Sequence, residues 1–249
     1  MSNQEETKNE DLPIIIEGKA YPDITKNPLD EISSTAYILG ILLGFSVGIL
    51  PLVGFKNFNL YLVALSVFHF TEFYITAKYN PGKCHSESFI INNGFSYIAA
   101  HSVAILECII ELIVFPNWKS FSYSMVHRII VVVGAICVIM GQATRTIAMY
   151  TAGQSFSHVI KTEKNADHKL VTGGIYGFSR HPSYFGFFWW ALGTQMLVLN
   201  PISFILFAIV LWRFFSARIK FEEQYLIKFF GIKYVNFKKH VPVRIPFMD

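Results

Sequence analysis

The chain has 249 residues, of which 53% are hydrophobic and only 15% charged, with 24 phenylalanines and a formal net charge of +4. Soluble domains carry about 25% charged residues, so the deficit excludes an ordinary water-soluble domain and makes lipid part of the solvent. The small positive excess lies mainly in the C-terminal tail, which argues against nucleic-acid binding and for attraction to a membrane surface.

The three cysteines, Cys84, Cys108 and Cys137, are widely spaced and form no C-x-x-C pair. The ligand spacing of a metal site is missing, so no metal is expected. The length suits one membrane domain of several helices.

Residues 1–34 read as a flexible cytosolic tail, polar, acidic and broken by Pro13, Pro22 and Pro28. No cationic start followed by an apolar core occurs there, so no cleavable signal is expected. A bilayer needs about 20 apolar residues per helix. Residues 35–149 supply four such runs, at 35–53, 58–77, 95–115 and 128–149. The first repeats glycine every fourth residue (Gly40, Gly44, Gly48), a face that lets another helix approach closely. Residues 150–249 form a separate, catalytic-looking region. It holds a polar loop over 150–182, two shorter apolar runs at 184–199 and 202–215 split by Asn200-Pro201, and a tail of interleaved Phe and Lys. The split predicts a helical hairpin, because Pro stops one helix and starts the next, and the tail predicts an interfacial helix. The expected fold is an all-α integral membrane protein of about six transmembrane helices. With the N-terminus cytosolic, every Lys and Arg except Lys56, Lys119 and Arg128 falls on the cytosolic side, as the positive-inside rule asks. Both termini, the 150–182 loop and the tail beyond Arg213 then share one face.

Ionisable groups inside the spans need partners, since each costs roughly 2.5–3.5 kcal/mol in lipid. His69, Glu72, His101, Glu107 and Glu111 are expected to pair structurally. Arg145 ends the fourth span beside the polar loop and is a candidate for carboxylate recognition, which suits the planar guanidinium. The densest polar stretch is Leu170–Gly186, containing Arg180-His181-Pro182-Ser183-Tyr184. Pro182 falls at the first position of a helix, where unpaired N–H groups suit a polar or anionic ligand. On the tail, Arg218 and Glu222 are four residues apart and share a helix face.

Arg180-His181-Pro182-Ser183-Tyr184, followed by Leu192-Gly193-Thr194-Gln195, Asn200-Pro201 and Glu222-Glu223, resembles the isoprenylcysteine carboxyl methyltransferase family, its six-span fungal branch in particular. The likeness extends through Gly141–Arg145, Thr151–His158, Val241-Pro242 and Pro246-Phe247, and so covers nearly everything after Pro22. The resemblance implies methylation of the C-terminal carboxylate of prenylated cysteine in the endoplasmic reticulum membrane, with S-adenosylmethionine as donor. It implies donor binding by Lys161, His168, Lys169, Leu170, Val171, Tyr176, His181, Pro182, Ser183, Tyr184 and Glu222. It implies acceptor binding by Arg218; Arg145, by its position at the end of the fourth span, is a candidate second catalytic group aiming the carboxylate. Lys161 stands where animal members have glutamine, so its contact is expected through the backbone. Two other readings have counter-signals. A sterol reductase would need a nicotinamide phosphate site, and no extra basic cluster is present. A small transporter usually shows an internal repeat, and none is visible.

Overall fold

The computed structural model describes residues 13–53, 55–164 and 168–248, without the Lys26 side chain. Two short strands, β1 (Ile14–Ile16) and β2 (Lys19–Tyr21), precede seven helices: α1 (Leu29–Ile49), α2 (Lys56–Tyr79), α3 (Phe95–Val114), α4 (Met125–Ala152), α5 (Pro182–Leu197), α6 (Pro201–Phe230) and α7 (Ile232–His240). Five helices, α1 to α4 and α6, are long and apolar enough to cross a membrane. The sixth, α5, has 16 residues. The mostly helical, multi-pass membrane fold expected from sequence is thus present.

Three local expectations change. Of the expected flexible tail, residues 1–12 lie outside the described residues, and the remainder folds. β1 and β2 pair antiparallel across Glu17-Gly18, both at positive φ, which is the requirement of a tight hairpin turn. α1 then starts at Leu29, with Asp30 and Glu31 in its first turn, where the helix dipole favours acids. Second, α6 does not end near Phe215 but runs 30 residues to Phe230. It breaks at Gly231, whose φ of 57° suits glycine.

Third, the close helix approach is elsewhere. A Cβ built on Gly40, Gly44 or Gly48 meets nothing within 4 Å, so that face receives no helix among the described residues. The tight crossing is α4 against α5. A Cβ on Gly141 would lie 2.5 Å from the Gly186 carbonyl oxygen, and one on Gly193 would lie 2.8 Å from that of Gly134. The glycines come in pairs two turns apart on each helix, so the backbones touch along the whole crossing.

The α5–α6 turn is fastened from α3 and the α3–α4 loop. Glu107 accepts from the N–H groups of Ile202 (2.8 Å) and Ser203 (2.7 Å), satisfying donors at the start of α6. Lys119 is fully buried. It donates to the carbonyls of Val198 (3.0 Å) and Leu199 (2.9 Å) and to Asn200 Oδ1 (2.7 Å), and pairs with Glu111. Sequence reading had taken Lys119 only as a loop cation.

The largest apolar cluster joins Phe68 of α2, Phe188 and Trp190 of α5, and Phe215 and Ile219 of α6. It also includes Val243, Ile245 and Met248, so the segment after α7 returns to the core. That segment is tied to the turn before α5. Arg180 N–H donates to the Pro242 carbonyl (3.2 Å), and Ser179 Oγ donates to that of Val243 (2.7 Å).

Candidate active site

The site lies where the start of α5, the polar end of α6 and the 153–184 segment converge. Pro182 is the first residue of α5, so the preceding turn presents Arg180 and His181 at the helix mouth. All the donor-binding candidates except Lys161 line one cleft: His168, Lys169, Leu170, Val171, Tyr176, His181, Pro182, Ser183, Tyr184 and Glu222. Phe156, Phe230 and Tyr234 complete its walls. Lys161 lines a second, larger cavity of about 780 Å³, together with Arg145, Arg218, Phe68 and Phe187. The two spaces share Phe156, Ser157, Ser183 and Tyr184.

Tyr184 is the partition. Its hydroxyl donates to Glu222 Oε2 at 2.7 Å and accepts from Arg218 Nε at 2.9 Å. The i,i+4 spacing of Arg218 and Glu222 admits a direct ion pair; here a phenol from α5 stands between them. Arg218 Nη2 donates to the His158 carbonyl at 2.6 Å. Its guanidinium also lies over the rings of Tyr184 and Phe214, at 5.5 and 5.8 Å. These contacts hold the cation with Nη1 outside the two hydrogen bonds. The carboxylate Glu222 thus lines one space and the cation Arg218 the other.

Arg145 has a different position from the one expected. Its Nε and Nη2 donate to Glu72 at 2.5 and 2.8 Å, and Nη1 donates to Ser183 Oγ at 2.8 Å. The bidentate fork therefore meets an internal carboxylate, not a surface left open for an acceptor. Arg145 shapes the cavity wall and holds Ser183. The other intramembrane polar groups pair structurally, as expected. His69 Nδ1 donates to the Phe89 carbonyl (2.8 Å), and Tyr61 hydroxyl is hydrogen-bonded to His101 Nδ1 (2.8 Å).

A second cluster was not foreseen. Glu223, 4% exposed, receives Arg180 Nε (2.6 Å), Tyr234 hydroxyl (3.1 Å) and Lys238, and lies 3.2 Å from His181 Nε2. It thereby joins the turn before α5 to α7. The available signal was the acidic doublet Glu222-Glu223 paired with the basic doublet Arg180-His181: Glu222 lines the cleft, and Glu223 meets both basic residues.

Outside the spans, burial pushes the His158 imidazole down to about 4, with Arg145 and Arg218 adding to the effect and Glu72 opposing it. Burial likewise raises the Tyr176 phenol above its ordinary range, and Glu222 reinforces this. Both side chains are neutral near pH 7. Among the described residues no group of three or more His, Cys, Asp or Glu could hold a metal ion.

Fold and site together describe a mostly helical, multi-pass membrane protein with two adjoining polar cavities. Residues 132–228 match the Isoprenylcysteine carboxyl methyltransferase (ICMT) family. A protein-S-isoprenylcysteine O-methyltransferase of Saccharomyces cerevisiae is 61% identical over 228 residues, covering 92% of this chain and 95% of that protein. The protein of the same name from Homo sapiens is 39% identical over 216 residues, covering 85% and 74%. A solved structure of the eukaryotic intramembrane Ras methyltransferase ICMT superposes with a TM-score of 0.83 at 34% identity, covering 88% of this chain and 77% of that one. The chain belongs to the isoprenylcysteine carboxyl methyltransferase family.

Proposed function

We propose that this enzyme transfers a methyl group from S-adenosylmethionine to the α-carboxylate of a prenylated C-terminal cysteine, at the cytosolic face of the endoplasmic reticulum membrane. The observation that carries the reading is the placement of Glu222 and Arg218 on opposite sides of Tyr184. The cleft with Glu222 suits a cationic donor, and its Tyr176, Phe156 and Phe230 rings suit a nucleoside. The cavity with Arg218 suits an anionic acceptor, and its Phe68, Phe187 and Phe215 rings suit an isoprenoid chain.

The chemistry asks little acid–base help of the protein. A C-terminal carboxylate ionises with a pKa near 3.3–3.7, so it is already a nucleophile at neutral pH. S-adenosylmethionine, when bound, supplies a methyl group activated by the sulfonium charge. The residues must then hold and aim. Glu222, His181 and the 168–171 segment hold the donor. Lys161 touches the donor side only through the small space it shares with Glu222 and His168. Arg218 steers the carboxylate without neutralising it, because its guanidinium is already shared with Tyr184 and the His158 carbonyl. Tyr184 stands at the junction and excludes water from the line of transfer. Holding two reactants in such register replaces a bimolecular encounter by a near-unimolecular one. The apolar walls contribute about 0.8 kcal/mol per buried CH₂ of the acceptor lipid. Membrane lipid is the second solvent of the acceptor, and no metal or nucleic acid takes part.

The test is direct. Purified enzyme in liposomes is given methyl-labelled S-adenosylmethionine and N-acetyl-S-farnesylcysteine. A base-labile methyl ester is the expected product. Label that stays base-stable, or no transfer by protein that binds the donor, would overturn the reading.

A further inference from the structure

Resting on the transferase function proposed above, we propose that the loop between α2 and α3 forms a third subsite, which holds the polypeptide segment immediately preceding the methylated cysteine through its backbone amides.

The α-carbon of a C-terminal cysteine carries three chains besides hydrogen: the carboxylate, the thioether with its prenyl group, and the peptide nitrogen leading to the rest of the protein. Tetrahedral geometry sends them in three directions. The large cavity has three kinds of wall to match. Arg218 meets the carboxylate, and the Phe68 and Phe187 rings meet the lipid. Two polar stretches complete the lining: residues 156–163, tied to Arg218 through the His158 carbonyl, and on the other side the α2–α3 loop, ending in Asn92 and Asn93.

This rim is built, not loose. Phe89 stacks on Phe73 with centroids 4.2 Å apart, and its carbonyl accepts from His69 Nδ1. Asn27 Nδ2 donates to the Cys84 carbonyl at 2.9 Å. Ile90 and Gly94 take positive φ on either side of the asparagine pair, so the pair is presented between two fixed bends. Both asparagines are exposed, and neither side chain is hydrogen-bonded to another described residue. A carboxamide offers one acceptor and two donors, which is the complement of a peptide bond. Such recognition reads the main chain and ignores its side chains, which suits an enzyme whose acceptors share only their last residue.

The experiment compares kcat/KM for N-acetyl-S-farnesylcysteine with kcat/KM for an S-farnesyl pentapeptide, in wild type, N92A/N93A and N92Q/N93Q, all in liposomes. The wild type is expected to favour the pentapeptide by about tenfold, the scale of one to two net hydrogen bonds. The ratio should fall to about one in N92A/N93A and recover in part in N92Q/N93Q, which keeps the carboxamides. A wild-type ratio of one, an unchanged ratio in N92A/N93A, or an equal loss on both acceptors overturns the subsite. Failure of the wild type to methylate either acceptor strikes the transferase function itself, so the two failures are distinguishable.

Discussion

Arg145 on α4 grips Glu72 on α2 at two points, Nε to Oε1 at 2.5 Å and Nη2 to Oε2 at 2.8 Å. Glu72 is 1% exposed and Arg145 8%, so neither charge has water to fall back on. Removing one partner of a buried pair leaves an uncompensated charge, at about 3–5 kcal/mol. We expect Glu72→Gln to lower the thermal midpoint in detergent sharply, and Arg145→Met/Glu72→Leu to recover much of the loss. If the double variant is no better than the single one, an uncompensated charge is not the cause of the loss.

Arg218 and Glu222 should separate kinetically, because they line different spaces. Arg218→Ala is expected to lower kcat/KM for farnesylcysteine by at least about 100-fold through misplacement of the acceptor, with donor binding retained. Glu222→Gln should instead weaken donor binding by about tenfold or more, the scale of a hydrogen bond to a charged group. Equilibrium binding of S-adenosylhomocysteine to each variant checks the assignment. Equal loss of donor binding in both would contradict it.

Glu223 and Lys238 pair, but with very different exposure: the Glu223 side chain is 5% exposed and that of Lys238 39%. Exposed partners contribute about 0–1 kcal/mol. Lys238→Ala should therefore shift stability by less than about 1 kcal/mol. Glu223→Ala should cost about 3–5 kcal/mol, because it also strips Arg180 of its buried anion. Thermal unfolding of the two variants side by side decides the matter.

His158 sets the acid limit. Its folded pKa is about 4 against an ordinary 6.5. Between those values the unfolded chain binds a proton that the folded chain refuses, so stability falls as pH falls through that window and does not change above it. Thermal midpoints should decline from pH 6.5 to pH 4, and His158→Gln should flatten part of that decline. Activity between pH 7 and pH 8.5 should show no inflection from this residue.

Much of this was readable in the sequence. α2, α3 and α4 lie within three residues of their expected bounds, because a span is fixed by the length of an apolar run. Most of the residues proposed for the donor cluster in one loop and one helix start, and the structure brings them to one cleft with Glu222 of α6. What escaped was long-range. Lys119 reaches Asn200 from far along the chain, and no local pattern announces that contact. Residues 241–248 have no helical period, yet Val243 and Ile245 fill the core. The glycine signal misled for a physical reason: Gly40, Gly44 and Gly48 sit on one helix, whereas the contact uses Gly134 and Gly141 against Gly186 and Gly193, visible only once two helices are aligned.

On the proposed function, the shortness of α5 bears on the depth of the reaction. Sixteen residues rise about 24 Å, against a hydrocarbon thickness of about 30 Å. If the Lys119 turn lies at one boundary, the Pro182 end would stop about a helical turn below the other. His181 and Tyr184 would then sit beneath the level of the phosphates. An acceptor anchored by its isoprenoid must sink its carboxylate to that depth, and lipids of greater chain length would deepen the descent. On the proposed function, the rate of methyl transfer is expected to depend on bilayer thickness.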